Sequence, residues 1–257
     1  GERTREWLAA AVQEGQSSDV RLRLKGDLRD FPFTGGQKGL FQVTAKITGA
    51  KLEYASGWPV MEAIDGDLLF ENEKMEIVGR SARILGARLT NVRAHLPSLL
   101  GSDKVLHLQG NAEGPTQEFL KYIAQSSVRR YIHGITDPMS ATGNGRLAMK
   151  LDIPLGDTAR TKLSGEFRFT GNTLRMDGRL PPIERAAGTV AFTESTLSIR
   201  DATGQLFGGP VAIAGGTQKE GGVAVVARGT FTPEGIRPVF DHPWRRYASG
   251  TAPYTAT

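Results

Sequence analysis

The chain has 257 residues, 39% of them hydrophobic and 7% aromatic, with 32 glycines, no cysteine and a formal net charge of +5. That apolar content excludes a disordered chain, the glycines suit many strands and turns, and the lack of cysteine excludes disulfides and thiolate zinc sites. No apolar run nears the ~20 residues of a membrane-spanning helix, and no signal peptide is visible at the start.

In chain order, the first predicted element is a helix over Arg5–Gly15, "REWLAAAVQEG", ended by glycine. Alternating apolar and polar segments follow over residues 19–113 and predict a run of strands. A second helix is predicted over Pro115–Gly134, with Pro in the first turn and Phe119, Leu120 and Ile123 on one stripe. Strands resume over residues 144–231, and a third helix is predicted to start at "TPEGIRPVF", Thr232–Phe240. The tail "YASGTAPYTAT" resembles "MSATGNGRLAM" (Met139–Met149), the entry to the second strand run. In total about fourteen strands are expected from the alternation.

Three stretches share one hairpin pattern: "GDLLFENEKMEI" (Gly66–Ile77), "GEFRFTGNTLRM" (Gly165–Met176) and "GTVAFTESTLSI" (Gly188–Ile199). A shift of 122 positions aligns Ala45–Leu89 with Phe167–Val211 without a gap, and nine of the 45 pairs are identical. Chance would give about three, so the agreement in alternation carries more weight, because a slip of one residue would invert every face. The expected organisation is a slice of a repeat array. Residues 1–15 are the end of one module, 16–135 a β-module with its closing helix, 136–240 a second module, and 241–257 the start of a third.

A sheet this long, apolar on one face and charged on the other, must cover its apolar face or offer it to something else. One helix of about fifteen residues per module is ~22 Å long and cannot cover it. Two solutions stand: the strands fold on themselves as a sandwich or barrel, or they curl into an open trough. The glycines that open each hairpin (Gly49, Gly66, Gly165, Gly188) permit curvature in either case. The basic residues are scattered along the polar face, apart from "SSVRRYIH" and "HPWRR", and read as solvated.

Four stretches carry a family resemblance: "GDLRDFPF" (Gly26–Phe33), "GLFQVTAKITGAKLEYASGWPVMEAIDGDLLFENEKMEI" (Gly39–Ile77), "LAMKLDIPLGD" (Leu147–Asp157) and "GQLFGGPV" (Gly204–Val211). Together they resemble the AsmA-like proteins of Gram-negative bacteria, in the YhdP branch, relatives of the TamB-type intermembrane lipid-transport proteins. The most specific part is Trp58-Pro59 followed by Ile64, Gly66, Leu68 and Phe70. The resemblance implies a mostly β protein with a few short helices, an elongated repeating β-groove of curved antiparallel sheet with about one helix per module. It implies a periplasmic protein anchored in the inner membrane by a helix outside this sequence, a segment of an envelope-spanning bridge that conducts phospholipids to the outer membrane. Its partners would be phospholipid acyl chains along the groove and membranes at the ends of the full-length protein. The groove floor is then expected at Ile47, Leu52, Tyr54, Leu68, Phe70, Met75, Ile77, Leu147, Met149, Leu151, Phe167, Phe169, Leu174, Met176, Val190, Phe192, Leu197 and Ile199. The competing reading is a non-enzymatic periplasmic scaffold of closed sandwiches that conducts no lipid.

Motifs for chemistry do not emerge. His95, His107, His133 and His242 lack metal-ligand spacing, no HExxH, GxSxG or GxxxxGK[ST] element occurs, and "GNGR" (Gly143–Arg146) reads as a turn. Asp27 and Asp30 read as turn carboxylates. Phe167, Arg168 and Phe169 alternate along a strand, which puts aromatic and basic groups on opposite faces and argues against nucleic acid. No catalysis, metal or cofactor is expected.

Overall fold

The computed structural model describes residues 12–101, 103–176, 178, 180–237, 239 and 248–257. The first seven strands are β1 (Val12–Gly26), β2 (Gly39–Leu52), β3 (Met61–Glu71), β4 (Lys74–Ile84), β5 (Ala87–Leu96), β6 (Val105–Pro115) and β7 (Ser140–Thr142). The rest are β8 (Asn144–Pro154), β9 (Lys162–Arg175), β10 (Ile183–Thr193), β11 (Leu197–Leu206), β12 (Gly209–Thr217), β13 (Val223–Phe231) and β14 (Ala252–Ala256). Two α-helices, α1 (Thr116–Ala124) and α2 (Val128–Tyr131), lie between β6 and β7. The hydrogen-bonded order is β1-β2-β3-β4-β5-β6-β8-β9-β10-β11-β12-β13-β14, with β7 against β9. That order is a path and not a ring, so the expected mostly β, antiparallel class is found in its open form and the barrel is not adopted.

By contacts the chain divides into two compact units, one of Gly1–Ala112 with Ala148–Ser164 and one of Glu113–Leu147 with Gly165–Thr257. In the first, β1 through β5 form successive antiparallel pairs. Phe33, 1% exposed, plugs the β1–β2 connection, where its ring fills the space over Gly26 and Gly39. In the second, β10 through β14 do the same, around a small core of Ile183, Ala186 and Val211.

The repeat is visible in the elements themselves. β3 and β10 share their bounds at the shift of 122, and Phe70↔Met75 and Ile84↔Ala87 recur as Phe192↔Leu197 and Leu206↔Gly209. Left-handed backbone recurs at Gly49 and Gly171 and at the bulge residues Ala63 and Arg185. The copies differ at Asp201, where an extra residue shifts the β11–β12 register.

Three helix expectations are corrected. β1 begins at Val12, so the last residues of the predicted Arg5–Gly15 helix are strand; Val12 and Glu14 pair with Leu52 and Lys51, and ladder formation overrides local propensity. The remainder of that helix lies outside the described residues. The Pro115–Gly134 helix is broken after Ala124, where Ser126 turns its hydroxyl back to the Ile123 carbonyl at 3.3 Å. Over the described part of Thr232–Phe240 there are turns and no helix: Thr232 Oγ1 accepts from Gly235 N at 3.0 Å, and Pro233 and Gly235 are poor helix formers. Gly66, Gly165 and Gly188 are not in left-handed backbone, and each lies where a Cβ would meet a neighbouring strand.

Candidate functional site

In the first unit, register places apolar side chains in rows across the strands. Val43, Phe70, Met75 and Leu96 form one row, and Ala45, Leu68, Ile77 and Ala94 the next. Leu22 of β1 extends the first row, opposite Val43. Side chains opposed in this way are the unit of sheet stabilisation, and here they also make one side of β1–β5 continuously apolar. The alternate positions carry charge: Lys46 Nζ meets Asp19 Oδ2 at 2.6 Å, Arg93 Nε meets Glu76 Oε1 at 3.5 Å, and Arg80 pairs with Asp67. His107 Nδ1 lies 2.6 Å from Asp152 Oδ1 on that polar side, which assigns Met149 and Leu151 to the opposite face of β8 by parity. Asp65 accepts from Gly49 N–H at 3.0 Å and from Ser81 Oγ at 3.1 Å, and these bonds, the backbone one foremost, hold its carboxyl below the usual range.

In the second unit the same face is built from aromatic rings seated over glycines. A Cβ on Gly145 would fall 2.1 Å from the Phe167 ring, one on Gly165 2.4 Å from the Phe192 ring, and one on Gly188 3.3 Å from the Phe169 ring. Gly145 and Gly165 therefore clear the place a phenyl group occupies, while at Gly188 a Cβ would meet Ala202 first, at 2.9 Å. Val190 opposes Ile199, and Phe192 opposes Leu197. The Phe167 and Phe169 rings stack at 6.0 Å, and Phe119 of α1 meets Phe167 at 4.9 Å, so the helix seats one aromatic side chain on this face. α1 is fixed there by Asn172, which is fully buried. The amide orientation that satisfies all its neighbours donates to the Asn144 and Thr170 carbonyls at 3.1 Å and accepts from Thr116 Oγ1 at 2.5 Å. Tyr254 packs against the core with its ring edge-on to Phe207, and burial pushes its phenol up.

None of the eighteen expected floor residues is buried; all are half-buried except Met176, which is 39% exposed. Sixteen lie on strands. Tyr54 and Met176 sit just past the ends of β2 and β9, and Tyr54 turns edge-on to Trp58 at 6.1 Å, beside the buried Pro59. Of the nine hydrophobic residues that are buried among those described, five are alanine, so the large apolar side chains are not what fills a sealed interior. Sequence reasoning missed Val20, Leu22 and Leu24, between 51% and 63% exposed on β1, and Val43 beside Phe70. Their signal was present, since "VRLRLKG" alternates as cleanly as any stretch in the chain.

The fold and this face define a class: an antiparallel repeat protein whose bulky apolar residues line one accessible side of the sheet. The chain matches the YhdP protein family over residues 1–257 and belongs to it. It is similar to the intermembrane phospholipid transporter YhdP of Escherichia coli (strain K12), 24% identical over 233 residues, which is 89% of this chain and 18% of that protein. The chain thus spans less than a fifth of this relative's length. No solved structure matches it. Among the described residues, no helix is long and apolar enough to cross a membrane.

Proposed function

We propose that this chain is one stretch of a longer periplasmic bridge that carries phospholipids between the inner and outer membranes of a Gram-negative bacterium. Acyl chains lie on the apolar face, and headgroups stay in water. The observation that carries the reading is that the apolar rows on an open sheet are only partly buried; membership of the YhdP family and the name of its Escherichia coli relative support the choice of ligand. Each acyl CH₂ kept from water is worth about 0.8 kcal/mol, so a lipid does not cross an aqueous space unaided. Contacts of this kind are non-directional, and a tail that leaves one row finds the next equally favourable, so sliding needs no catalytic group. The eighteen floor residues are assigned to this contact, and the direction of travel is set elsewhere, because a passive apolar path lowers a barrier without driving flow.

Native mass spectrometry of the purified chain tests the reading. Phospholipid should co-purify with the wild type, and Phe169→Asp or Phe192→Asp should lower the amount retained while the circular dichroism spectrum stays that of a folded β protein. A wild-type chain free of lipid, or variants that lose lipid only by unfolding, would favour the scaffold reading instead.

A further inference from the structure

The two repeats differ chemically at a matched place on their polar sides. In the first unit the β3 bulge holds Ala63, Asp65 follows it, and Asp65 accepts a hydrogen bond from Ser81 across the strand pair. At the matching positions in the second unit Ala63 is replaced by Arg185, Asp65 by Ala187 and Ser81 by Thr203. The backbone is conserved through the exchange: Arg185 has φ 50° as Ala63 does, and Ala187 pairs with Thr203 as Asp65 pairs with Ser81. The internal carboxylate has been deleted, the hydroxyl kept, and a cation put on the bulge, where the extra residue re-aims its side chain.

A second cation joins it. Register carries Thr203 to Ala212 and on to Arg228, and Gln205 to Pro210; Thr230 follows Arg228 two residues along β13, on the same side. These residues alternate with Val211 of the core, so they share the side of the sheet away from the apolar face. Arg185, Arg228, Thr203, Gln205 and Thr230 line a single surface depression, and the small residues Pro210 and Ala212 lie between them. Both arginines are exposed, and neither makes an ion pair among the described residues. Glu184, in register with Gln205, engages neither of them. In the first unit, by contrast, the depression on the polar side is lined by Asp19, Lys46, Asp67 and Glu76, and each of these carboxylates already has its basic partner.

We propose that the depression over β10–β13 binds a phosphate-type oxyanion between Arg185 and Arg228, with Thr203 and Thr230 as hydroxyl donors and Gln205 as an amide donor. Guanidinium forks match the spacing of phosphate oxygens and bind them in pairs, which a chloride ion cannot exploit. Pro210 and Ala212, being small, leave the space that the ligand fills, and the missing Asp65 counterpart leaves the hydroxyl of Thr203 without its internal acceptor. The site does not depend on lipid moving over the opposite face.

Titration of the chain with inorganic phosphate and with micelle-free dihexanoyl phosphatidylglycerol, followed through the arginine Nε–H signals in ¹⁵N-resolved spectra, tests it. Two arginine signals should shift saturably with phosphate and not with equal chloride. Arg228→Ala should weaken binding by about tenfold or more, the loss expected when one fork of a paired site is removed. Ala187→Asp, which restores the internal carboxylate of the first repeat, should abolish it. Tighter binding of the lipid than of phosphate assigns the ligand to a headgroup, and equal binding assigns it to free phosphate. No saturable shift with either probe overturns the proposal, as does unchanged affinity in Arg228→Ala, a change at an exposed position.

Discussion

Val211 and Phe192 are both apolar strand residues of the second unit, and they should answer differently to the same charge. Val211 is 3% exposed in the small core, so Val211→Asp strands a carboxylate without a partner and should cost about 3 kcal/mol or more. Phe192 is half-buried on the open face, where Phe192→Asp can reach water; its urea midpoint should lie far closer to the wild type. Asp65 gives a pH test. Its folded pKa lies below the ordinary 3.8, so the stability it contributes is present above that value and lost as pH falls through the depressed one. Asp65→Asn should therefore lower the urea midpoint at neutral pH, and the difference from wild type should vanish in strong acid. A difference that persists there would mean Asp65 acts by packing and not by its charge.

At the scale of elements, α1 depends on one buried amide more than on its own propensity. Nine residues make a marginal helix in water, and the Pro115 that precedes it offers no side-chain cap. Tertiary bonds replace the cap: Thr116 N–H donates to the Gly143 carbonyl at 2.9 Å, and Gln117 Oε1 accepts from Ala141 N–H at 2.9 Å. Asn172→Ala removes its bonds to two carbonyls and the Thr116 hydroxyl and should cost about 1–3 kcal/mol. Amide hydrogen exchange should show α1 opening ahead of β10–β12; equal protection in the variant would mean that Phe119 against Phe167 is enough to hold the helix.

Across the whole molecule, duplication sets the expected behaviour of lipid binding. Phe70 and Phe192 occupy matched places, each opposite a residue of its own next strand, Met75 and Leu197. Each unit carries its own apolar rows, so Phe70→Asp and Phe192→Asp should each lower the phospholipid retained by the purified chain. The double variant should lose the sum, as expected for sites without a shared partner. Complete loss from either single variant, read by native mass spectrometry, would mean instead that lipid is held at one cooperative place.

The sequence alone determined the strand alternation, the duplication and its offset, and which side of each strand is apolar, because side-chain direction in a strand repeats every two residues and needs no partner to be read. It also carried enough of the family pattern in Trp58-Pro59 and the Gly66–Phe70 stretch to point to the YhdP branch. Helix extent was not legible there: Glu14 reads as helical until β2 offers it a ladder, and Pro115–Gly134 reads as one helix until Ser126 folds back. Nor was the use of the hairpin glycines, since the ring above Gly165 belongs to Phe192, 27 positions further along the chain. Whether the apolar face is sealed or accessible was decided only by tertiary structure, for a closed barrel and an open sheet share one pattern of alternation and differ in whether the last strand pairs with the first.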